Sequence, residues 1–460
     1  MSMFQKLMVL FFLIFIGWSC AEDRNSSNAI DVGVARVDIT PRVPVRLSGF
    51  AARGKEETHQ VLSKIHAKAI AIGNDKQQPT VFITVDLLGI QWSVTNKIVE
   101  ALAKKTGLKP EQIAIFASHT HGGPEIGNFI NHLQCRGNYP VKFNFSDSLI
   151  ALPQLLHLAE FNEFLVSKLE EVATEALKDR KPALMSWGQS SASFSENRRP
   201  EGGPVDQSLP VLRVTNLQGD LRAVFFNYAC HGISLGEDVN AVHGDWMGEA
   251  QNQIEARYPG AVAMMAVGCA GDSHPVKRNN IEFMRAYGKE ILDSVSKLIT
   301  SDLTPLVKPP VGNMTWVRLP FNQVPSVSEL ISFIADTTIK GYYARLALER
   351  VLRGEELPKE LNYPLQVWNF DDKMAMINMG GEVVVDYSRV FNEKYGKGKI
   401  WINAYANDVS CYIPSRRIIK EGGYEGETSM YWYNKPAPFS DSVEERIINA
   451  VDGLMPASFK

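Results

Sequence analysis

Short apolar segments, separated by Gly, Pro and polar turns, recur along the whole chain and predict strands. They cover residues 30–39, 65–72, 80–86, 113–117, 210–214, 223–228, 261–267, 364–379 (two short strands) and 399–404. Apolar positions with helical spacing predict helices at 94–106, 162–177, 281–299, 327–352 and 442–454, and residues 302–325 are Pro-rich and partly extended. Because strands and helices mix throughout, we predict an α/β or α+β fold: a single large domain over 31–460, with mixed sheets flanked by helices.

The first residues predict an export signal rather than part of this fold. Lys6 precedes an unbroken apolar run over 7–16, which suits a signal peptide and is too short to span a bilayer. The small residue Ser19 before Cys20 resembles a bacterial lipobox, and the acidic residues 21–23 resemble the surface-export signals of Bacteroidetes lipoproteins. We therefore predict a lipoprotein-type signal peptide over 1–19, a lipid on Cys20 and a tether over 20–30. The protein would then be exported and anchored to the outer membrane, on its periplasmic or cell-surface face; a plain secretory peptide cut nearby is the alternative.

Composition narrows the class of protein. Hydrophobic residues make up 45% and charged residues 22% of the chain, as in an ordinary globular protein, and the net charge is −3. That balance argues against nucleic acid as a partner. Beyond Cys20 the cysteines are Cys135, Cys230, Cys269 and Cys411, without the CxxC spacing of a zinc knuckle. We interpret Cys230 and Cys269 as buried small residues, and one or two disulfides stay open as an alternative.

The segment 118–124, Ser-His-Thr-His-Gly-Gly-Pro, follows the predicted strand 113–117 and is the strongest candidate for chemistry. His119 and His121 are two residues apart, so on extended backbone both side chains lie on one face. The Gly-Gly-Pro that follows ends the strand and lets backbone approach a ligand. The pair can therefore meet a metal or a reacting group, unless the two residues simply cap the end of a strand.

The same pattern recurs in three other places. The strand at 223–228 leads into Cys230-His231-Gly232, and the strand at 261–267 leads into a Gly-rich loop with Asp272, Ser273 and His274. A fourth loop, Gly380-Gly381-Glu382, places a carboxylate after a strand. Ligands of sheet proteins gather at strand ends, so four such loops predict one site built from distant parts of the chain.

In order along nearly the whole mature chain, these and further segments resemble the neutral (non-lysosomal) ceramidases. The matching segments are 33–41, 85–87, 118–124, 196–199, 203–206, 230–232, 243–246, 269–272, 381–382, 407–414 and 424–426. The resemblance implies one zinc ion per chain, bound by His119, His231, Glu382 and Tyr412. Imidazole and carboxylate ligands suit zinc, whereas tyrosine is an unusual ligand.

The resemblance also implies roles for residues around the metal. His121 would face the scissile carbonyl and donate a hydrogen bond or move a proton. Arg198 and Tyr424 would contact the polar end of the substrate or the oxyanion. The alternatives are a surface ion pair for Arg198 or Arg199, and plain packing for Tyr424. Asp245 would either orient a ligand histidine or cap the helix that begins at Trp246.

Two departures from the family weaken the assignment of a substrate. The family's loop usually reads Asn-Ala-Gly-Asp-x-Ser-Pro, whereas here His274 stands at the serine position and Ser273 one residue earlier. A shift of one residue on extended backbone turns a side chain to the opposite face, so attack by water on the metal is favoured over a serine nucleophile. Asp272 is kept and is a candidate general base, and His274 is a candidate new site residue. We also expect the family's additional C-terminal immunoglobulin-like domain to be absent.

Three functions follow from these patterns. The first is a zinc-dependent hydrolase of amide bonds that acts on N-acylsphingosine or a related N-acyl lipid. The second keeps the metal site but acts on a polar ester or an N-acetyl or acylated sugar. The third is a non-catalytic surface lipoprotein that binds a ligand, against which the complete set of implied zinc ligands argues.

Overall fold

The computed structural model describes residues 27–54, 56–126, 152–200 and 202–460. The predicted signal peptide over 1–19, Cys20, most of the tether and Cys135 lie outside these residues. Within the described ranges, no helix is both long and apolar enough to cross a membrane.

Seventeen strands lie in the described ranges. They are β1 Ile30–Asp38, β2 His66–Ile72, β3 Thr80–Val85, β4 Ile113–Ala117, β5 Lys181–Ser191, β6 Ser195–Asn197, β7 Ser208–Thr215, β8 Leu221–Tyr228, β9 Val262–Val267, β10 Ser273–Pro275, β11 Thr304–Leu306, β12 Val311–Pro320, β13 Glu360–Phe370, β14 Met374–Met379, β15 Glu382–Val383, β16 Ile400–Asn403 and β17 Tyr412–Ile413.

Ten α-helices accompany them in the same ranges. They are α1 Trp92–Thr106, α2 Leu152–Lys178, α3 Asp245–Arg257, α4 Ile281–Ile299, α5 Val327–Phe333, α6 Ile339–Leu352, α7 Asp386–Tyr395, α8 Arg416–Glu421, α9 Ser429–Trp432 and α10 Val443–Leu454. A π-helical turn over Tyr424–Thr428 lies between α8 and α9.

A nine-stranded mixed sheet forms the centre of the molecule. Its order is β4-β3-β2-β1-β5-β7-β8-β9, with β11 paired to β5. The pairs β3–β4 and β8–β9 are parallel, and the other pairs are antiparallel. A four-stranded sheet, β12-β13-β14-β16, and the two-stranded pairs β6–β10 and β15–β17 complete the strand pairing. Mixed sheets flanked by helices confirm the predicted fold class.

The two larger sheets pack face to face through aromatic side chains. The ring of Phe82 on β3 stacks on Trp368 of β13 at 4.5 Å between centroids, and Phe225 on β8 stacks on Trp401 of β16 at 5.0 Å. All four rings are fully buried. Offset stacks of this kind add about 0.5–1.5 kcal/mol to the burial of the rings themselves. The packing fixes the second sheet, and with it the loop after β14, against the strand ends of the first.

Most predicted elements are present, and two of the differences have local causes. The strand β5 is eleven residues long and was not predicted, because Pro182, Gly188 and a polar end at 189–191 conceal its alternation. The single helix predicted over 327–352 is two helices. A turn at 334–338 separates them, and the Thr338 side chain accepts a hydrogen bond from Lys340 N at the start of α6.

Candidate metal centre

The loops after β4 and β8 lie side by side and bring two histidines together. An isolated bridge pairs Thr120 with Gly232, and the His121 N–H donates to the Gly232 carbonyl at 3.2 Å. As a result, the His119 and His231 rings approach to 4.5 Å between centroids. His119 has a φ of +58°, a backbone conformation that costs a non-glycine residue about 1–3 kcal/mol and that is found mostly at functional sites.

The short parallel pair β15–β17 adds a carboxylate and a phenol to the histidines. Glu382 and Tyr412 are direct partners in this pair. One oxygen of Glu382, Oε2, lies 3.2 Å from His119 Nε2 and 3.2 Å from His231 Nε2. The Tyr412 hydroxyl lies 3.3 Å from His231 Nε2. All four residues are at most 3% exposed. The structure therefore brings together the four residues that the resemblance implies as zinc ligands.

The hydrogen bonds of the Nδ1 atoms of His119 and His231 determine that Nε2 is the nitrogen facing Glu382. His119 Nδ1 is 2.7 Å from the Leu88 carbonyl, and His231 Nδ1 is 2.7 Å from the Ala270 carbonyl and 3.1 Å from that of Ser273. A carbonyl accepts only, so each Nδ1 carries the proton and each Nε2 presents a lone pair to Glu382. Imidazoles oriented in this way, with a carboxylate between them, fit a zinc ion.

His121 lies beside this group with its own nitrogens unused. Among the described residues neither ring nitrogen has a hydrogen-bond partner, and the ring is 5.1 Å from His119 and 5.9 Å from His231 between centroids. One nitrogen from each of His119, His121 and His231 lies within 4.8 Å of the other two, so these three buried histidines could together hold a metal ion. The structure thus places His121 either at the metal or directly next to it.

Burial and neighbouring charge set the protonation states of the cluster. Burial, together with Arg198 and His119, lowers the pKa of His231 to about 4. Burial, together with His119 and His231, lowers the pKa of His121 well below its usual range. Burial alone would raise the pKa of Glu382, but His119 and His231 outweigh it and hold the pKa well below its usual range. Neutral imidazoles around an ionised carboxylate are the forms that bind a metal.

Arg198 lies at the edge of the cluster and contacts it directly. Its Nη1 is 3.3 Å from His231 Nε2, and its Nη2 donates to the Tyr412 hydroxyl at 3.0 Å. Its Nε donates to Glu425 at 2.8 Å, and this ion pair is largely buried, with side-chain exposures of 18% and 6%, unlike the surface pair considered as the alternative. The guanidinium carbon lies 5.7 Å from the Tyr424 ring centroid, and Tyr424 is 43% exposed. Arg198 and Tyr424 therefore lie where the cluster opens toward solvent.

Both carboxylate oxygens of Asp272 hold other loops. Oδ1 accepts the Val385 N–H at 2.8 Å, and Oδ2 accepts from the Asn197 side-chain amide at 2.8 Å. The Asp272 carbonyl also accepts the Arg198 N–H at 2.8 Å. Because both carboxylate oxygens are occupied, these contacts indicate that Asp272 holds the loops around the site in place rather than acting as a free general base.

Ser273 and His274 turn to opposite sides of β10. Ser273 is fully buried and its hydroxyl has no hydrogen-bond partner among the described residues, while its carbonyl lies against His231 Nδ1. His274 Nε2 lies 3.1 Å from Glu196, whose side chain is half exposed. Within the described ranges, neither side chain contacts Glu382 or His119.

Asp245 belongs to the loop that follows His231. Its carboxylate accepts the N–H groups of Ser234 at 3.1 Å, Leu235 at 3.3 Å and Trp246 at 2.7 Å. The Trp246 indole donates to the His231 carbonyl at 2.9 Å. Asp245 thus positions the His231 loop through backbone contacts and begins α3, and its carboxylate does not meet a histidine ring in the described contacts.

Two tyrosines of the cluster were not predicted. The Tyr405 ring lies 4.4 Å from that of His119, and the Tyr433 hydroxyl donates to Glu382 Oε1. Tyr405 stands in an apolar segment and Tyr433 in an aromatic one, so neither carries a local signal.

The cysteines Cys230, Cys269 and Cys411 are buried and free. For Cys230 and Cys269 this agrees with their interpretation as buried small residues.

The fold and this cluster define a mixed α/β protein with a buried group of histidines, a carboxylate and a phenol that can hold a metal. The family model described as "Neutral/alkaline non-lysosomal ceramidase, N-terminal" matches residues 30–138. Two curated proteins named neutral ceramidase, from Drosophila pseudoobscura pseudoobscura and Drosophila melanogaster, are each 25% identical to the chain, over 273 and 267 residues.

Those matches cover 55% and 54% of the chain but only 37% and 36% of the two curated proteins, well under half of their length. The crystal structure of a neutral ceramidase from Pseudomonas aeruginosa shares the fold, with a TM-score of 0.68 and 18% identity over 93% of this chain and 75% of that one. A second solved structure, of a ceramidase complexed with C2, has a TM-score of 0.66 and 16% identity, over 93% of this chain and 76% of that one. The chain is thus similar to neutral ceramidases in part of its sequence and in its fold.

Proposed function

We propose that the protein is a zinc-dependent amide hydrolase that acts on a ceramide or a related N-acyl lipid. The observation that carries this proposal is that His119 Nε2 and His231 Nε2 each lie 3.2 Å from the same oxygen of Glu382. Two neutral imidazoles and one carboxylate are a common zinc-ligand set of hydrolases, and the similarity to proteins named neutral ceramidase supports the amide bond as the target.

The metal would be held by His119, His231, Glu382 and Tyr412. Zinc bound there supplies Lewis acidity and makes water nucleophilic near neutral pH. The hydrogen bonds of the two Nδ1 atoms to backbone carbonyls keep both rings oriented before the metal arrives.

The remaining chemistry falls to side chains around the metal. His121 is neutral and its ring nitrogens are free of partners in the described residues, so it can accept the proton of water and deliver it to the leaving amine. Arg198 stays charged and can stabilise the negative oxygen that develops on the carbonyl. Tyr424, exposed at the opening, can contact the polar end of the substrate.

A metal analysis of the purified protein tests the site first. We expect one zinc per chain in the wild type, less than a tenth of that in His119→Ala, and a full complement in His157→Ala. His157 is the matched control because its ring pairs with Glu57 at 3.0 Å, away from the cluster. A wild-type protein that binds no zinc would refute the metal site and leave a non-catalytic ligand-binding protein as the better account.

Hydrolysis of N-acylsphingosine, measured beside a panel of acetylated sugars and polar esters, tests the substrate. We expect the highest kcat/KM for the N-acyl lipid. Zinc-dependent turnover of an ester or an N-acetyl sugar, without turnover of N-acylsphingosine, would replace the lipid by a polar substrate at the same metal site.

We also propose that the protein is exported and anchored by a lipid on Cys20, as the apolar run over 7–16 and the Ser19-Cys20 junction suggest. In Cys20→Ala we expect the protein to move from the membrane fraction to the soluble fraction. Protease treatment of intact cells then distinguishes the cell surface from the periplasm. A variant that stays with the membrane would contradict the lipid anchor.

A further inference from the structure

The two oxygens of Glu382 have different partners. Oε2 faces His119 Nε2 and His231 Nε2, with the Tyr405 hydroxyl at 3.5 Å. Oε1 accepts a hydrogen bond from the Tyr433 hydroxyl. The carboxylate is 1% exposed, so water does not compete for either oxygen from bulk solvent.

Tyr433 reaches Glu382 from a packed segment. It follows α9 directly, and its N–H donates to the Met430 carbonyl at 3.1 Å. Met430 is 1% exposed, and the ring of Tyr431 packs against that of Tyr343 at 5.5 Å between centroids. On the other side the Tyr433 ring lies 6.0 Å from that of Tyr412. The Tyr433 ring is therefore placed by its own packed segment and by contact with the Tyr412 ring.

We infer that Tyr433 is a positioning residue for the metal, because it occupies Glu382 Oε1 and leaves Oε2 alone to bind. This inference rests on the proposed metal site. A carboxylate that is free to rotate offers either oxygen or both, which suits a larger and more flexible coordination shell than the four ligands of zinc. Partners that orient a metal ligand typically contribute 10–100-fold to metal affinity.

The test compares zinc affinity in Tyr433→Phe and in Tyr431→Phe. Both changes remove one hydroxyl from the same short segment, but only Tyr433 contacts Glu382. Competition with a colorimetric chelator gives the zinc dissociation constant. The visible spectrum of the cobalt-substituted protein reports the coordination of the metal independently of turnover. We expect Tyr433→Phe to weaken zinc binding 10–100-fold and to change the cobalt spectrum, and Tyr431→Phe to leave both unchanged.

Glu382→Gln provides the second arm. If Tyr433 acts through Glu382, its effect on zinc affinity should shrink when Glu382 is already altered, so the two substitutions should be non-additive. Additive effects, an unchanged dissociation constant in Tyr433→Phe, or an equal loss in Tyr431→Phe would each overturn the assignment of Tyr433. If the wild type itself binds no zinc, the proposed function fails and this inference fails with it, whereas loss of the Tyr433 effect alone leaves the metal site standing.

Discussion

Replacing Gly49 by alanine perturbs His121 without removing any chemical group from the site. Gly49 has a φ of +97°, and a Cβ there would lie 2.3 Å from His121 Nδ1 and 2.5 Å from Cγ. Carbon atoms in ordinary contact are about 3.5–4.0 Å apart, so the imidazole must move by roughly 1 Å or more. The Phe50 ring packs against the imidazole at 4.7 Å between centroids and restricts this movement, and the backbone N–H of His121 holds the loop itself through the Gly232 carbonyl.

Two costs combine in this variant, and a second glycine separates them. An alanine at positive φ costs about 1–3 kcal/mol of stability wherever it stands. Gly219 has nearly the same φ, +95°, but nothing lies within 4 Å of its Cβ position. Gly219→Ala therefore carries the backbone strain without a contact at the site. The difference between the two variants isolates the displacement of His121.

Urea unfolding and steady-state kinetics on whichever substrate the wild type hydrolyses measure both effects. We expect both variants to lose about 1–3 kcal/mol of unfolding free energy, and Gly49→Ala to lose somewhat more. A displacement of 1 Å at a reacting group can cost about 100-fold in rate, so kcat/KM should fall by that order in Gly49→Ala and stay at the wild-type value in Gly219→Ala. Wild-type kcat/KM in Gly49→Ala, or an equal loss in Gly219→Ala, would refute the role of His121.

Three further substitutions test charges around the site. Burial raises the pKa of Glu125 to about 7, above its value of about 4.5 in an unfolded chain, so its contribution to stability is full below pH 4.5 and is lost as the pH rises through 7. Glu125→Gln should therefore raise the unfolding free energy by about 3 kcal/mol at pH 8 and hardly change it at pH 4.5. An equal change at both pH values would contradict the pKa shift. Glu425→Gln removes the charge that holds Arg198 at 2.8 Å and should lower kcat/KM with zinc content unchanged in metal analysis; loss of zinc would show that Glu425 instead supports the ligands. Asp272→Asn leaves one of its two buried contacts without an acceptor and should cost about 1–3 kcal/mol in urea unfolding, whereas lower kcat at wild-type stability would identify Asp272 as a general base.

The fold class and the strand-end loops could be predicted because their signals are local. A mostly apolar strand followed by His and then Gly is visible in a short window of sequence, and this pattern includes both His119 and His231. The structure places both loops at the ends of parallel strand pairs, where they meet. The roles of the individual ligands stay predictions, since they rest on the resemblance and on the donor geometry.

The contacts that orient these ligands could not be predicted in the same way. Tyr433 meets Glu382 across 51 positions, and the Leu88 carbonyl meets His119 across 31. Every residue has a backbone carbonyl, so the sequence does not show which carbonyl will bind a histidine. An aromatic residue in an apolar segment is typical of any protein core. Such contacts arise only when segments distant in sequence have come together, as when β4 pairs with β3 and brings His119 to Leu88, so they are a property of the assembled fold.

The loop that departs from the family shows how a shift of one residue moves the chemistry. On β10 the side chains of Ser273 and His274 point to opposite faces, so the shift exchanges what each position presents. The serine hydroxyl is fully buried, and the imidazole turns to Glu196 at 3.1 Å instead of toward Glu382. The backbone of the loop keeps its function, because the Ser273 carbonyl still lies 3.1 Å from His231 Nδ1. Within the described residues, His121 and Arg198 lie beside the cluster, and their action there, in place of a serine, stays a proposal.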